Sequence, residues 1–428
     1  MHNPVSPAQE PLAAGPHRRL AATATALALI AVGGFVVGCA PGHGNGSPAN
    51  TGAATPGALE TASPHSSVTP SPTSALTIPT SGPTATAAGT LTPTLTPTPG
   101  QVAGAIETYE LPAPGEGQEV NGITAGPNGA VWFAWGSPSG SAGGIGSITA
   151  GGTISLFPLT SSDAGPVNDL AWGGGSIWTL EDLGGQSYVG QWTTGGTLQQ
   201  QFPIPGVAAF RLVWGPDSAL WFTAVATSSQ IDPGGFIGWI SASGVVTTYQ
   251  LPASVAGQAP QSIVVGPDGA LWFDVPAASS VGRITTPGTV SIYPIPQAMN
   301  EGTNQNMNAL TVGSDDALWE IYWADDELVR ISADGSMQEF PVPGCASTNM
   351  DDIASGPDGN LWLTMQSPND SAVCTVSTDG IVTGVYPLTG TVAANTYPTV
   401  IAAGPNGDFW FGVVLGYIAS LNPSLPSP

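Results

Sequence analysis

Seven positions of this chain combine polar side chains with a fixed spacing. Five residues before each of seven Gly-led turns stand Asn121, Asn168, Phe210, Gln261, Asn308, Asp351 and Thr399. All but Phe210 are polar, and each lies directly ahead of an apolar run. A position that only packed against neighbours would more often be apolar. Two readings follow. Either the polar residues end strands and solvate a loop, or they converge as a ring that binds a small neutral ligand or one metal ion. Asn308 and Asp351, with Asn121 nearby, offer the oxygen donors that calcium or magnesium takes. Arg211 adjoins Phe210 in the same ring, where it either orients a ligand carboxylate or pairs with one of the many acids. Glu181, Asp274 and Asp351 are the carboxyl candidates for acid–base work.

What the chain lacks narrows the chemistry. Its four histidines, His2, His17, His43 and His65, all precede residue 105. A Ser/His/Asp triad is therefore excluded beyond that point. No Cys-x-x-Cys pair, phosphate loop or dinucleotide fingerprint appears. There is no lysine. Arg18, Arg19, Arg211, Arg283 and Arg330 face 29 acidic residues, for a formal charge of -24. Such a surface repels phosphate backbones, so nucleic acid is not an expected partner. Many acids have a plainer explanation, because Asp217, Asp268, Asp334, Asp358 and Asp379 occupy turns. Further loops carry Trp135, Glu181-Asp182, Tyr322-Trp323 and Asp325-Asp326-Glu327. Aromatics beside carboxylates suit a peptide, sugar or amine-bearing ligand, while the last group also reads as a solvated hairpin tip.

The elements that must position these residues repeat. Ser262 to Phe273 reads as an apolar run, a Gly-Pro-Asp-Gly turn and a second apolar run containing Trp272. That is the pattern of an antiparallel hairpin. The unit recurs around Trp132, Trp178, Trp221, Trp272, Trp319, Trp362 and Trp410, at intervals of 46, 43, 51, 47, 43 and 48 residues. A third strand, a turn and a fourth strand follow six of them, as in Val281 to Pro296. A period in the forties built from short strands predicts an all-β, seven-bladed β-propeller with four-stranded blades. The seventh repeat stops after its third strand, and Ile106 to Pro112 matches the missing fourth. The N-terminal strand is thus expected to close the ring in the last blade, three strands plus one.

Residues 1–39 read as a lipoprotein signal peptide. Arg18 and Arg19 precede an apolar run that ends in Val36-Val37-Gly38-Cys39. Small residues directly before a cysteine place the cleavage and acylation site at Cys39. An uncleaved membrane anchor is the alternative. Residues 40–104 are rich in Ser, Thr, Pro, Ala and Gly, with no large apolar face, and read as a disordered stalk. Residues 105–428 form the propeller. The protein is expected outside the cytoplasmic membrane, attached through its lipid, as a monomer. Cys345 and Cys374 are then a plausible disulfide pair.

The phrase Gly215 to Thr223 (G-P-D-S-A-L-W-F-T) and the stretch Val281 to Pro296 (V-G-R-I-T continuing to Y-P-I-P) resemble the virginiamycin B lyase (streptogramin lyase) family. The resemblance covers about residues 105–423. It implies a propeller and an enzyme that linearises a cyclic ester antibiotic by elimination, using histidine, glutamate and a magnesium ion at the mouth of the channel. The family's glutamate lies three residues past the Trp and stands here only as Glu181. The other blades carry Trp135, Ala224, Val275, Tyr322, Met365 and Val413 there. The expected function is a surface propeller that binds a small molecule, glycan or protein without catalysis. A metal-dependent lyase-like or lactonase-like enzyme and a structural wall element are the alternatives.

Overall fold

The structure is a computed structural model. It describes residues 105–112, 118–137, 142–159, 165–227, 234–241, 244–296, 307–322, 327–345, 349–367, 370–388 and 396–423, without the side chains of residues 105, 307, 308 and 349. The expected signal peptide, Cys39, the stalk, Trp323, Asp325 and Asp326 lie outside the described residues.

The described strands form seven four-stranded antiparallel sheets. The inner strands, in blade order, are Glu119–Ala125, Val167–Gly173, Val207–Trp214, Ile263–Val265, Met307–Val312, Asn349–Ser355 and Pro398–Ala403. Each turns back into a Trp-bearing second strand that is buried on both faces. Leu271–Val275, for example, is buried throughout. Burial on both faces follows from its place between two neighbouring blades, and it explains why these strands are mostly apolar rather than alternating. One apolar cluster joins Trp319 and Ile321 of blade 5 to Ile353, Leu361 and Leu363 of blade 6.

The turn residues explain the repeat. Where the third residue of the Gly-led turn is Asp, its carboxylate accepts the indole N–H of the Trp four residues on. The distances are 3.0 Å for Asp217 and Trp221, 3.0 Å for Asp268 and Trp272, and 3.1 Å for Asp315 and Trp319. Two of these carboxylates also take an arginine of the third strand, Arg283 on Asp268 at 2.5 Å and Arg330 on Asp315 at 2.6 Å. Most of the motif is therefore blade architecture.

The outer strands hold neighbouring blades in register. Phe157 stacks on Trp132 at 5.8 Å, Tyr293 on Trp272 at 5.4 Å and Tyr386 on Trp362 at 5.4 Å. The other side of the same aromatic meets a turn of the next blade. Gly335, at φ +84°, lies so close to Tyr293 that a Cβ there would come within 2.1 Å of the ring.

Ring closure is as expected. Ala105–Glu110 pairs antiparallel with Tyr417–Asn422, with Ile106 opposite Leu421 and Glu110 opposite Tyr417. Tyr109 of that strand stacks on Trp410 and abuts Gly152 of blade 1, so the N-terminal strand takes the same two contacts as the other outer strands.

Candidate functional site

Six of the seven inner strands contain a register shift near their start, between Val120 and Gly122, Val167 and Asp169, Ala209 and Leu212, Met307 and Leu310, Met350 and Ile353, and Pro398 and Ile401. A bulge sets extra residues against the partner strand and re-aims their side chains, and bulges gather beside functional sites. Here they fall on the polar ring and, in four blades, also on the residue after it.

The two rings have different roles. In the first, Asn121 Nδ2 donates to Val167 O of the next blade at 3.0 Å, and Thr399 Oγ1 donates to Val120 O across the ring closure at 3.3 Å. Gln261 offers its backbone: its carbonyl accepts Thr223 Oγ1 at 2.7 Å. Asn168 and Phe210 are half-buried. The side chain of Asn308 lies outside the described residues, which leaves Asp351 as the described half of the expected metal pair. Among the described residues no three His, Cys, Asp or Glu side chains come together as a metal site.

The second ring, one residue later, reaches the axis. A cavity of about 130 Å³ is lined from all seven inner segments, by Gly122, Asp169, Arg211, Ser262, Asp352 and Val400 of this ring and, in blade 5, by Leu310, one residue beyond it. Of the residues singled out from the sequence, Arg211 alone is in this lining. Asp169, Ser262 and Asp352 were missed because the count stopped one residue short.

The acids of this ring join blades. Asp169 accepts Leu170 N at 2.9 Å and Leu212 N of the next blade at 2.9 Å. Asp352 repeats the arrangement with Ile353 N at 2.9 Å and Ile401 N of the next blade at 2.8 Å. Ser262 Oγ takes Leu310 N of the next blade at 3.2 Å. Acceptors thus stand on blades 2, 4 and 6. Gly122 leaves room for one of them, since a Cβ there would come within 2.7 Å of Asp169 Oδ1.

Behind the ring, a residue of the second strand locks the bulge. Thr223 Oγ1 accepts Arg211 N at 3.2 Å and Thr364 Oγ1 accepts Asp352 N at 3.0 Å. Blade 4 places Asp274 at this position. Its Oδ1 accepts Ser262 N at 2.6 Å and Gln261 N at 3.1 Å, and its buried Oδ2 has no hydrogen-bond partner.

Burial dominates the electrostatics of these acids. It pushes Asp274 up to about 7, against the pull of two backbone N–H groups and the Arg211 charge. Asp352 rises to about 6 for the same reason, again opposed by N–H donors and Arg211. Asp351 rises to about 7 through burial and the neighbouring Asp352 charge. Asp169 is also raised by burial, with Arg211 opposing. The structure therefore gathers Asp351, Asp352, Asp169, Asp274 and Arg211 around the inner-strand starts.

Glu181 is elsewhere. It is fully buried within blade 2, where Oε1 accepts Thr179 Oγ1 at 2.6 Å and Oε2 accepts Gln201 Nε2 at 2.6 Å. Its carboxyl is raised by burial and held by these donors, apart from the cavity lining. Cys345 and Cys374 are bonded in the structure, with Cα atoms 5.8 Å apart, and tie the segment before blade 6 to that blade's third strand.

Comparison with known proteins agrees with this architecture. Two solved structures are a catalytically inactive histidine-to-alanine form of virginiamycin B lyase from Staphylococcus aureus with quinupristin and a streptogramin B lyase. The first is 25% identical, covers 74% of this chain and 99% of that chain, and gives a TM-score of 0.61. The second is 27% identical, covers 75% and 98%, and also gives 0.61. The WD40 propeller domain of Doa1, at 12% identity, covering 75% and 96% with a TM-score of 0.52, shares the fold alone. No curated protein sequence matches the chain. The model of the virginiamycin B lyase family matches residues 109–421, and the chain belongs to that family.

Proposed function

We propose that this protein is a ligand-binding member of its family, a lipid-anchored surface propeller that takes a small polar ligand on its axis without catalysis. The observation that carries this reading is the cavity itself. It is lined by polar side chains from several blades, yet Asp169 and Asp352 are each held by two backbone N–H groups. Carboxylates so held position the blades, and the N–H donors occupy oxygen lone pairs that a substrate proton would need. The S. aureus relative was made inactive by replacing one histidine. Residues 105–428 of this chain contain none.

The family's magnesium ion does not fit the described residues of the cavity. Magnesium takes oxygen ligands in near-octahedral geometry. Here the carboxylate oxygens of Asp169 and Asp352 already accept N–H donors, and a guanidinium lies among them. No step is routed through a metal.

A second reading, an enzyme of the lyase or lactonase type, draws on Asp351. A carboxyl raised to about 7 is suited to general-base work at neutral pH. The two readings separate in one assay. Purified full-length protein is incubated with a cyclic streptogramin B and magnesium, with and without chelator, and products are read by chromatography and mass spectrometry. Unchanged substrate is the expected result. A new species of the same mass would establish elimination, and a gain of one water would establish lactone hydrolysis; either would overturn the binding reading.

A further inference from the structure

We propose that Arg211 and Ser262 form a binding site for a small carboxylate on the propeller axis. This deepens the ligand-binding reading above and rests on it.

Two side-chain donors at the cavity lack acceptors among the described residues. Both side chains line the axial cavity. The only bond of Arg211 to a described side chain is through its backbone N–H, to Thr223. Its guanidinium carries five N–H donors and accepts nothing. Among the described residues it makes no ion pair: the pairs present are Arg283 with Asp268 and Arg330 with Asp315. Ser262 Oγ accepts Leu310 N, and its own hydroxyl proton has no acceptor among the described residues.

The acids nearby do not fill this need. Asp169 and Asp352 line the cavity, but each carboxylate is turned onto two backbone N–H groups. Asp274 lies behind Ser262 and holds its backbone N–H. All three interact with Arg211 through their field. They hold the cation in place without satisfying its hydrogen bonds. A half-buried guanidinium in this position draws its acceptors from the cavity contents.

A carboxylate fits the donors best. Its two coplanar oxygens match two parallel N–H groups of the guanidinium fork. The Ser262 hydroxyl supplies a further donor. The volume bounds the size of the ligand. About 130 Å³ is well below the roughly 300–1,000 Å³ of pockets that enclose drug-sized ligands. The ligand is therefore a short carboxylic acid, or the carboxylate end of a longer chain. A metal cation is disfavoured by Arg211 itself.

The test is calorimetric titration of the full-length protein at constant ionic strength in chloride. Acetate, trialanine with a free C-terminus and trialanine amide are the probes. Saturable binding of acetate without a gain for trialanine identifies free small acids as the source. Tighter binding of trialanine, lost on amidation, identifies a chain terminus. In both cases Arg211→Gln should weaken binding by about tenfold or more, and Arg211→Lys should restore part of it, because charge without the fork keeps part of the interaction. Far-UV circular dichroism and Trp fluorescence verify that the variants are folded. No saturable binding of any probe, or binding unchanged in folded Arg211→Gln, overturns the proposal. Such a failure with streptogramin still unconverted would sink this inference alone, whereas streptogramin conversion would sink the wider reading.

Discussion

Replacing Asp274 with Asn should flatten part of the protein's pH dependence of stability. At the matching position of two other blades a threonine hydroxyl accepts one bulge N–H, from Arg211 and from Asp352. Asp274 does the same with a carboxylate, fully buried, and one of its oxygens has no partner. Burial raises its pKa from 3.8 to about 7. Between those values the folded protein retains a proton that the unfolded chain has released. Stability from this group is therefore complete below pH 3.8 and is lost as pH rises through 7. The loss approaches about 1.4 kcal/mol per pH unit and the slope halves at pH 7, which gives about 2 kcal/mol between pH 5 and pH 7. Asn retains the acceptor for Ser262 and Gln261 and cannot ionise. Urea denaturation followed by Trp fluorescence at pH 5, 6, 7 and 8 should show the variant gaining on the wild type by about 3 kcal/mol from the acid to the alkaline end. Asp351 and Asp352, raised to about 7 and about 6, act in the same direction and account for the slope that remains. Parallel profiles for variant and wild type would refute the assignment of a buried, proton-retaining carboxyl to Asp274.

Gly335→Ala should destabilise the blade 4–blade 5 region by about 2–4 kcal/mol, since it adds left-handed strain and a clash with Tyr293. Gly359→Ala, at a similar φ of +83° but with only ordinary contact to Ser314, should cost about 1–2 kcal/mol; equal thermal shifts for the two would remove the aromatic wedge from the argument. Cys39→Ala should release the protein from the membrane fraction of its host, and unchanged fractionation would count against the lipid anchor.

The fold was legible because its determinants are local and repeated. An Asp that must reach a Trp indole four residues later leaves a visible spacing in four blades, and the same Gly-led turn ahead of a Trp in the other three completes the count of seven. Closure was legible for a related reason: Ile106 to Pro112 carries the same outer-strand pattern as Val290 to Pro296, including the aromatic that Tyr109 and Tyr293 provide. The axial ring was misplaced by one residue, and in a strand that is enough to change the face. A further regularity marks the correct register. Ile123, Leu170, Leu212, Ile263, Leu310, Ile353 and Ile401 all stand three residues before the turn glycine. An aliphatic residue at this position in every blade marks the inner edge of the inter-blade core, and in six blades the residue before it lines the axial cavity. The bulge hides this rule, because it departs from strict alternation at the point where the ring lies. Nothing in the sequence distinguished Glu181 as a blade residue from Glu181 as a site residue; only its contacts with Thr179 and Gln201 do so.

The alternation around the axis explains why Arg211 is the residue to question. Where a blade offers an acceptor at this position, the N–H three residues before the next turn glycine is satisfied: Asp169 serves Leu212, Ser262 serves Leu310 and Asp352 serves Ile401. Gly122, Ala309 and Val400 stand on three of the other four blades, small or apolar residues that ask for no partner. Arg211 stands on the fourth. It cannot serve as an acceptor for the next blade, and its side chain has no bond to a described residue that would explain it as a joint. A methyl or an isopropyl group would fill the position at no electrostatic cost, as on blades 5 and 7. The cation is retained on the axis of a chain with two other arginines in its propeller, and both of those are bound to turn aspartates. Ring assembly accounts for the three carboxylates that surround it, and ligand capture accounts for the guanidinium they surround.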